Sequence, residues 1–294
     1  MDLRVLNYFL TVARLGSVTQ AAKALHITQP TLSRQLMGLE EDLGVALFIR
    51  GKKKMLLTEE GLILKRRAEE LLALSQITKN ELTQKDTKIG GIIRIGCGLT
   101  KATTTFNQWL DQFILDYPDV CFEVHNGNTH YVLETIENGL IDLGLVLDPV
   151  GLEKYGYIKL KEKERWGLVV SKKSPLSKLD VIHPYDLVGI PLINSPRSEL
   201  QEKLNDWFGL YKDQFHLFGT SELLVSTLHF VQKNKACAIV IEGAMDAIDK
   251  QDVCFVPFEP EILSQSYIVY KKYQSYSLTI SKLLDYIHKI QEMN

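Results

Sequence analysis

Residues 17–44 hold two short helical patterns with almost nothing between them, and this stretch constrains the fold more than any other. The run Ser17-Val18-Thr19-Gln20 is a capping-box pattern, which predicts a helix over about residues 18–25. Thr28 or Gln29 caps a second helix, in which Pro30 is tolerated because the first amides of a helix have no intrahelical partner. An apolar stripe then runs along this second helix to its end at Gly44, formed by Leu32, Leu36, Leu39 and Leu43.

The side of the second helix opposite the leucine stripe is short and polar. At about 100° per residue it carries Pro30 and Arg34, flanked by Thr31 and Ser33. A helix-turn-helix places such a face in the major groove of DNA. There Gln29 pairs with adenine, Arg34 pairs with guanine or phosphate, and the Thr31 methyl group contacts thymine. The alternative is a helical hairpin in an ordinary core, with the same polar side chains merely solvated.

A basic turn follows between two strand-like runs. Residues 47–49 and 55–57 are apolar, and Arg50-Gly51-Lys52-Lys53-Lys54 separates them. A two-stranded wing beside a helix-turn-helix contacts backbone phosphate and contributes salt-dependent affinity. Three lysines in a row also suit a solvated loop, but their position directly after the helix pair favours the wing.

This region resembles the LysR-type transcriptional regulators. The likeness is carried by "AAKALHITQPTLSRQLMGLEEDLGVALFIR" and by "LLTEEG" at residues 56–61, and the order of elements extends it along the chain. The wing departs from the common form in being richer in lysine. With the resemblance, the predicted DNA-binding residues are Ser17, Gln29, Pro30, Thr31, Ser33, Arg34, Arg50, Lys52, Lys53 and Lys54.

A long helical segment follows the wing. Residues 59–83 contain no Pro, and Leu64, Ala68, Leu71 and Leu72 form a stripe on one side. A helix of about 25 residues is about 37 Å long, which is too long for a small domain to bury. We therefore expect a partner chain along this stripe, and the resemblance implies a homodimer, with a homotetramer through the C-terminal domains. The alternative is a helix packed on its own domain.

Charge divides the chain at the same place. Residues 1–90 carry 14 Lys and Arg against 10 Asp and Glu, whereas residues 91–294 carry 20 against 26. A basic front and an acidic back are expected when only the front meets a polyanion. The predicted domains are a winged helix-turn-helix over 1–58, a linker helix and hinge over 59–90, and an effector-binding domain over 91–294.

From residue 92 onward, strands alternate with helices, which indicates α/β units with a mostly parallel sheet. One set of units runs to about residue 160, and a second begins near Trp166. The sequence therefore predicts two α/β lobes, lobe I over about 91–160 and 266–294 and lobe II over about 161–265. This resembles the family's effector domain, which is built like a periplasmic solute-binding protein. The predicted fold class is thus α+β followed by α/β.

Ligands of open α/β sheets bind beyond the carboxyl ends of strands, next to helix N-termini that favour anions. Three such strand ends, at residues 98–101, 127–130 and 194–197, predict a small anionic effector, a carboxylate, between the lobes. Thr100 and Asn128 would donate hydrogen bonds to it, and Lys101 or Arg197 would balance its charge. The same residues also suit the turns that any such loop needs. The predicted effector-binding residues are Gly98, Leu99, Thr100, Lys101, Asn128, Thr129, Ser195 and Arg197.

Two smaller expectations concern the same domain. Where the family usually has glycines, near residue 234, Asn234 is expected to adopt the left-handed conformation that Asn tolerates. The four cysteines show no metal or disulfide spacing and lie in apolar runs, so we expect buried thiols. Cys97 and Cys237 lie near strand ends, but nothing cationic beside them favours redox sensing.

Other function classes are less well supported. No signal peptide, membrane span, nucleotide-binding loop or hydrolase motif appears, so we expect a cytoplasmic protein that is not an enzyme and needs no metal or cofactor. The alternative is a solute-binding protein without a DNA role, but that class lacks a basic helical head. The expected function is effector-controlled transcription from double-stranded DNA, with contact to RNA polymerase possible and no contact with membranes.

Overall fold

The computed structural model describes residues 2–50, 54–83, 88–196, 198–274 and 276–293, apart from the side chains of residues 50, 80–83, 198, 199 and 293. The chain divides into two compact units, which we call the N-terminal unit (residues 1–86) and the C-terminal unit (most of residues 87–294).

The N-terminal unit is helical with a small two-stranded wing. Its elements in chain order are α1 (Leu3–Leu15), α2 (Val18–Ala24), α3 (Gln29–Leu43), β1 (Phe48–Arg50), β2 (Met55–Leu57) and α4 (Glu59–Thr83). The strands of the wing are antiparallel, with Phe48 opposite Leu57. The predicted helix pair and wing are therefore present, and α4 has the length expected of the linker helix.

Local capping explains where these helices begin and end. The Ser17 hydroxyl accepts a hydrogen bond from the Gln20 amide at the start of α2, which is half of the predicted capping box. Thr28, one of the two predicted caps, accepts from the Thr31 amide at the start of α3. Gly44 ends α3 in the left-handed conformation with φ of 69°.

The core of the N-terminal unit lies between α1, α2 and α3. Phe9, Leu32 and Ala21 are fully buried, and the small Ala21 lets the helices pack closely. Three of the four stripe leucines are buried, but Leu43 is 39% exposed because it lies in the last turn of α3, beyond the helix contact.

The linker helix packs part of the stripe predicted for a partner chain into its own unit. Ala68 is fully buried and Leu64 is half-buried, both packed in the core of their own unit, which is what the alternative for this helix predicted. The exposed large apolar residues of α4 are Leu62, Ile63, Leu71 and Leu74. The last three fall within about 80° on a helical wheel and form an exposed stripe that includes Leu71 of the predicted one, and we call it the outer stripe of α4.

The C-terminal unit has two α/β lobes that share one sheet. Lobe I contains β3 (Gly91–Cys97), α5 (Lys101–Asp116), β4 (Val120–Asn126), α6 (Thr129–Glu137), β5 (Leu143–Leu147) and α9 (Leu278–Met293). Lobe II contains β7 (Pro191–Asn194), α7 (Ser198–Phe208), β8 (His216–Thr220), α8 (Leu224–Gln232), β9 (Cys237–Ile241) and β10 (Val253–Pro257). Strands β6 (Tyr155–Ser171) and β11 (Leu263–Lys271) run between the lobes.

Strand order explains how the lobes are joined. The sheet runs β4-β3-β5-β11-β6-β9-β7-β8, with β10 also paired to β6. Residues 155–165 of β6 pair with β11, and residues 166–169 pair with β9. The sequence predicted a new set of strands near Trp166. The structure instead has one continuous strand there, because both lobes supply it with hydrogen-bonding neighbours. Asn234 adopts a φ of 53°, which confirms the expected left-handed residue.

Candidate functional site

The N-terminal half of α3 presents a polar surface. Gln29, Pro30, Thr31 and Arg34 are exposed, and Ser33 is half-buried. Gln29 Nε2 donates to Ser33 Oγ at 3.2 Å, and the hydroxyls of Thr28 and Thr31 lie 2.8 Å apart. The side chains predicted to meet DNA therefore lie together in the first two turns of α3, while Leu32 in the same turns anchors the helix in the core. Ser17 is half-buried, and its hydroxyl caps α2.

The wing is tied to α3 by a residue that the sequence analysis did not identify. Glu40 Oε1 accepts hydrogen bonds from the amides of Leu47 at 2.7 Å and Phe48 at 3.2 Å. The carboxylate thereby holds the start of β1 against α3. Gly61 of α4 also packs closely here, since an added Cβ would collide with the carbonyl oxygen of Leu47. The only signal in the sequence was the match of the "LEEDLG" run to the family pattern.

The basic turn of the wing is described only at its end. Lys54 is exposed, its aliphatic carbons lie beside Gly16, and the Met55 amide donates to the Gly16 carbonyl at 2.9 Å. Lys52, Lys53 and the side chain of Arg50, which were predicted to contact phosphate, lie outside the described residues.

A cavity of about 100 Å³ lies between the two lobes of the C-terminal unit, and we call it the interlobe cavity. Three chain segments predicted to bind an effector meet there, and the predicted residues that line it are Gly98, Leu99, Thr100, Asn128, Thr129 and Ser195. Arg197 lies outside the described residues. The floor is apolar, with Leu145, Leu147, Ile193, Ile239 and Ile241 among its residues.

The sequence analysis missed the segment after β8, which supplies Ser221, Glu222 and Thr227 to the cavity. The rule that ligands lie beyond the carboxyl ends of strands would have identified it, but β8 was not recognised as a strand. Glu222 Oε1 accepts a hydrogen bond from Asn128 Nδ2 at 2.8 Å, which links lobe II to lobe I at the rim of the cavity.

Lys101 was expected to balance the charge of an anion in the cleft, but its side chain does not line the interlobe cavity. Its ammonium is 2.6 Å from Glu242 Oε2 and lines a second cavity of about 440 Å³. Arg165 contacts both oxygens of Glu242 at 3.1 Å. The hydrogen bonds from Arg165, then those from Lys101, lower the pKa of Glu242 to about 2 despite its partial burial.

A second carboxylate, that of Glu164, is buried between the lobes. It is fully buried in the middle of β6 and accepts hydrogen bonds from the amide of Lys101 at 2.5 Å and that of Gly243 at 3.0 Å. Burial raises the pKa of Glu164, although both amide hydrogen bonds oppose this. Glu164 thus holds the start of α5 in lobe I to a turn of lobe II.

The cysteines depart in part from the prediction of buried thiols. Cys97 and Cys237 are buried, and burial raises the pKa of both, that of Cys237 to about 11. Cys254 is half-buried, and Cys121 is exposed because β4 lies at the edge of the sheet. Within the described part of the chain, no group of three or more His, Cys, Asp or Glu is arranged to hold a metal ion. No described helix is long and apolar enough to cross a membrane.

Comparisons with known proteins cover both units. The family model "Bacterial regulatory helix-turn-helix protein, lysR family" matches residues 3–62, and the model "LysR substrate binding domain" matches residues 87–291. A probable RuBisCO transcriptional regulator of Porphyra purpurea is 32% identical over 250 residues, which are 83% of this chain and 78% of that protein. The transcriptional regulator YtlI of Bacillus subtilis is 31% identical over 247 residues, 83% of this chain and 79% of that one.

Two solved structures share the fold. The crystal structure of CbnR, a LysR family transcriptional regulator, has a TM-score of 0.74 and 20% identity, covering 98% of this chain and 99% of that one. Full-length CbnR complexed with its target DNA has a TM-score of 0.72 and 21% identity, with the same coverage.

Proposed function

The chain belongs to the LysR family of DNA-binding transcriptional regulators with a substrate-binding effector domain, and we propose how its residues divide this work. The polar face of α3 reads base edges in the major groove, the wing contacts phosphate, and a small molecule in the interlobe cavity controls the outcome. The observation that carries the first part is the exposure of Gln29, Thr31 and Arg34 in the first two turns of α3, which a buried leucine stripe holds against the core.

The side chains on this face differ in what they recognise. The Arg34 guanidinium presents two donors to guanine, and the Gln29 amide presents a donor and an acceptor to adenine. Lys54 carries charge alone, so its contact with phosphate adds affinity without base preference. Specificity is therefore assigned to α3 and salt-dependent affinity to the wing.

The outer stripe of α4 supports a homodimer. Ile63, Leu71 and Leu74 are 61%, 39% and 40% exposed, and three large apolar side chains on one face of a long helix favour a partner there. A dimer presents two copies of α3, which suits a pseudo-palindromic site in DNA. Further pairing through the C-terminal units would give a homotetramer.

The effector acts through the lobes. Because β6 runs through both lobes, a ligand that contacts both sides of the interlobe cavity favours one relative position of the lobes over others. In a tetramer on DNA, that change alters the spacing of the bound dimers and the bend of the DNA. A ligand that left both the footprint length and the bend angle unchanged would contradict this step.

The test of DNA reading compares two variants on two kinds of DNA. Genomic footprinting first identifies a bound fragment, and fluorescence anisotropy then measures affinity for that fragment and for a scrambled duplex across a range of salt. Arg34→Ala should weaken specific binding by roughly 1–3 kcal/mol and relax base preference. Lys54→Gln should weaken both duplexes alike and reduce the salt slope by about 0.9.

Arg4→Ala serves as the matched control, since Arg4 is an exposed arginine of α1 that lies 3.6 Å from Asp2. It should leave base preference unchanged. If Arg34→Ala weakened specific and scrambled DNA equally, the assignment of base reading to α3 would be wrong.

A further inference from the structure

The charge of the effector can be inferred from the residues around the interlobe cavity. This inference rests on the proposed function, because it takes the interlobe cavity as the effector site. Periplasmic-type clefts receive anions at helix N-termini and at nearby cations. The question is therefore whether those positions are available here.

The positive end of α5 already holds a carboxylate of the protein itself. The Lys101 amide at the start of α5 donates to Glu164 Oε1, and Glu164 is fully buried. The neighbouring hydroxyl of Thr100 accepts from the Thr103 amide. These amides are therefore committed to internal partners.

The nearest cations are also committed. Lys101 and Arg165 both contact Glu242, outside the interlobe cavity. Both cations therefore already contact a carboxylate of the chain itself. Among the described residues that line the interlobe cavity there is no Lys or Arg, and Glu222 is the one charged side chain.

Glu222 adds a carboxylate to the rim of the interlobe cavity from lobe II. It lies in the loop between β8 and α8, two residues before α8 begins. It accepts from Asn128 Nδ2, and the Oδ1 of that same amide accepts from the Tyr131 amide. The rim of the cavity thus offers a carboxylate acceptor to a donor on the ligand.

The remaining lining sets the shape of the ligand. The floor is formed by aliphatic side chains from β5, β7 and β9, which favour an apolar body. An apolar cavity of about 150 Å³ binds benzene, so about 100 Å³ suits a ligand with roughly four non-hydrogen atoms.

We propose that the interlobe cavity takes a small aliphatic amine, whose ammonium binds the Glu222 carboxylate and competes with the Asn128 amide for it. Asn128 belongs to lobe I and Glu222 to lobe II, so the ligand exchanges a direct bond between the lobes for one that it bridges. Binding is thereby coupled to the relative position of the lobes.

The experiment uses three probes with the same carbon skeleton and the full-length protein. The probes are propylamine, propan-1-ol and propanoate, and isothermal titration or ligand-observed NMR gives their dissociation constants. The amine should bind about tenfold more tightly than the carboxylate, with the alcohol between them. Glu222→Gln should weaken the amine about fivefold, as expected for a partly exposed ion pair, and leave the alcohol unchanged.

Two further variants separate the possible outcomes. Glu134→Gln makes the same charge change on the exposed surface of α6, away from the cavity, and should alter no probe. Ala244→Leu fills the cavity and should abolish binding of all three probes, while tryptophan fluorescence confirms that the variant is folded.

If the carboxylate probe bound more tightly than the amine and Ala244→Leu abolished that binding, the proposed amine class would be wrong. The interlobe cavity would still be the effector site. Binding of the amine that Glu222→Gln does not weaken would overturn the role of Glu222. Absence of binding by every probe would overturn the proposed ligand class, and none of these results bears on DNA reading by α3.

Discussion

In the N-terminal unit the residues proposed to meet DNA lie on the outside of α3, whereas in the C-terminal unit a carboxylate lies at the centre of the two lobes. Gln29 and Arg34 are exposed above a core of leucine and phenylalanine. Glu164 is fully buried, and Glu242 and Lys101 pair beside it. The N-terminal unit therefore depends on apolar packing, and the C-terminal unit depends in part on charges between its lobes.

In the N-terminal unit, function and stability therefore depend on different residues. In the C-terminal unit, they depend in part on the same residues. An exposed arginine contributes little to folding, so the DNA-reading face can change while the fold is kept. A buried carboxylate that holds two lobes together affects stability and lobe position at once. All three tryptophans, Trp109, Trp166 and Trp207, lie in the C-terminal unit, so their fluorescence reports on that unit alone.

The largest expected effect tests the apolar core of the N-terminal unit. Phe9 is fully buried and its ring lies 5.2 Å from that of Phe48, so Phe9→Ala should cost roughly 3–5 kcal/mol of unfolding free energy. Far-UV circular dichroism in urea should show early loss of helix, together with loss of DNA binding, while the tryptophan transition stays in place.

Met37→Ala is the control for this change. Met37 is 53% exposed on α3, so its truncation should alter stability by less than about 0.5 kcal/mol. If the urea midpoint of Phe9→Ala measured by tryptophan fluorescence shifted as far as the midpoint measured by dichroism, the two units would unfold together. That result would contradict the separate stabilities assigned to them.

The next effect tests the buried carboxylate. Glu164→Ala leaves the amides of Lys101 and Gly243 without their acceptor, which should cost roughly 2–4 kcal/mol in the tryptophan transition. Because burial raises the pKa of Glu164 in the folded state, the unfolded chain loses this proton first, near pH 4.5. Wild-type stability should therefore fall as the pH rises from 4.5 through the folded pKa.

Glu164→Gln keeps one acceptor and should lose less stability than Glu164→Ala while also losing this pH dependence. Glu134→Gln again serves as the surface control. If the fluorescence midpoint of Glu164→Ala equalled that of wild type, the carboxylate would not be holding the lobes.

The smallest effect tests the ion pairs of Glu242. Its pKa of about 2 is below the ordinary value of 4.5, so its stabilising contribution is complete above pH 4.5 and is lost as the pH falls toward 2. Glu242→Gln should flatten this acid limb in urea midpoints measured by fluorescence. The loss near pH 7 should be about 1 kcal/mol, because Arg165 and Lys101 are 43% and 39% exposed and solvent screens the pairs.

If stability fell as steeply at acidic pH in Glu242→Gln as in Glu134→Gln, the loss of stability in acid would have to come from other carboxylates. The two acidic residues also act in opposite directions, since Glu164 weakens the fold above pH 4.5 and Glu242 weakens it below. Their separate variants should therefore change opposite sides of the stability profile.

Prediction from the sequence worked best where structure depends on near neighbours. The caps at Ser17 and Thr28, the end of α3 at Gly44 and the limits of α4 all follow from contacts within about four residues. The same reasoning placed a partner chain along Leu64 and Ala68, which pack in the core of their own unit. Periodicity identifies an apolar stripe but does not reveal whether its own domain or another chain covers it.

The cavity was predictable only in part, for a related reason. The loops after β3, β4 and β7 were recognisable as strand ends, but Glu222 follows a strand that has little apolar alternation, and β6 passes from one lobe to the other without a break. Lys101 shows most clearly what the sequence could not predict about this region. Its type suggested an anion partner, and the chain itself supplies that partner 141 residues later, in Glu242.

The sequence by itself determined the helix pair, the wing, the linker helix and the alternation of strands and helices, because caps, spacing and turn residues act over a few positions. Only the tertiary structure decided which charges neutralise one another and which face of α4 is left exposed. Those outcomes depend on burial and on electrostatic pairing between segments such as Glu164 and Gly243, which are brought together only when the lobes fold.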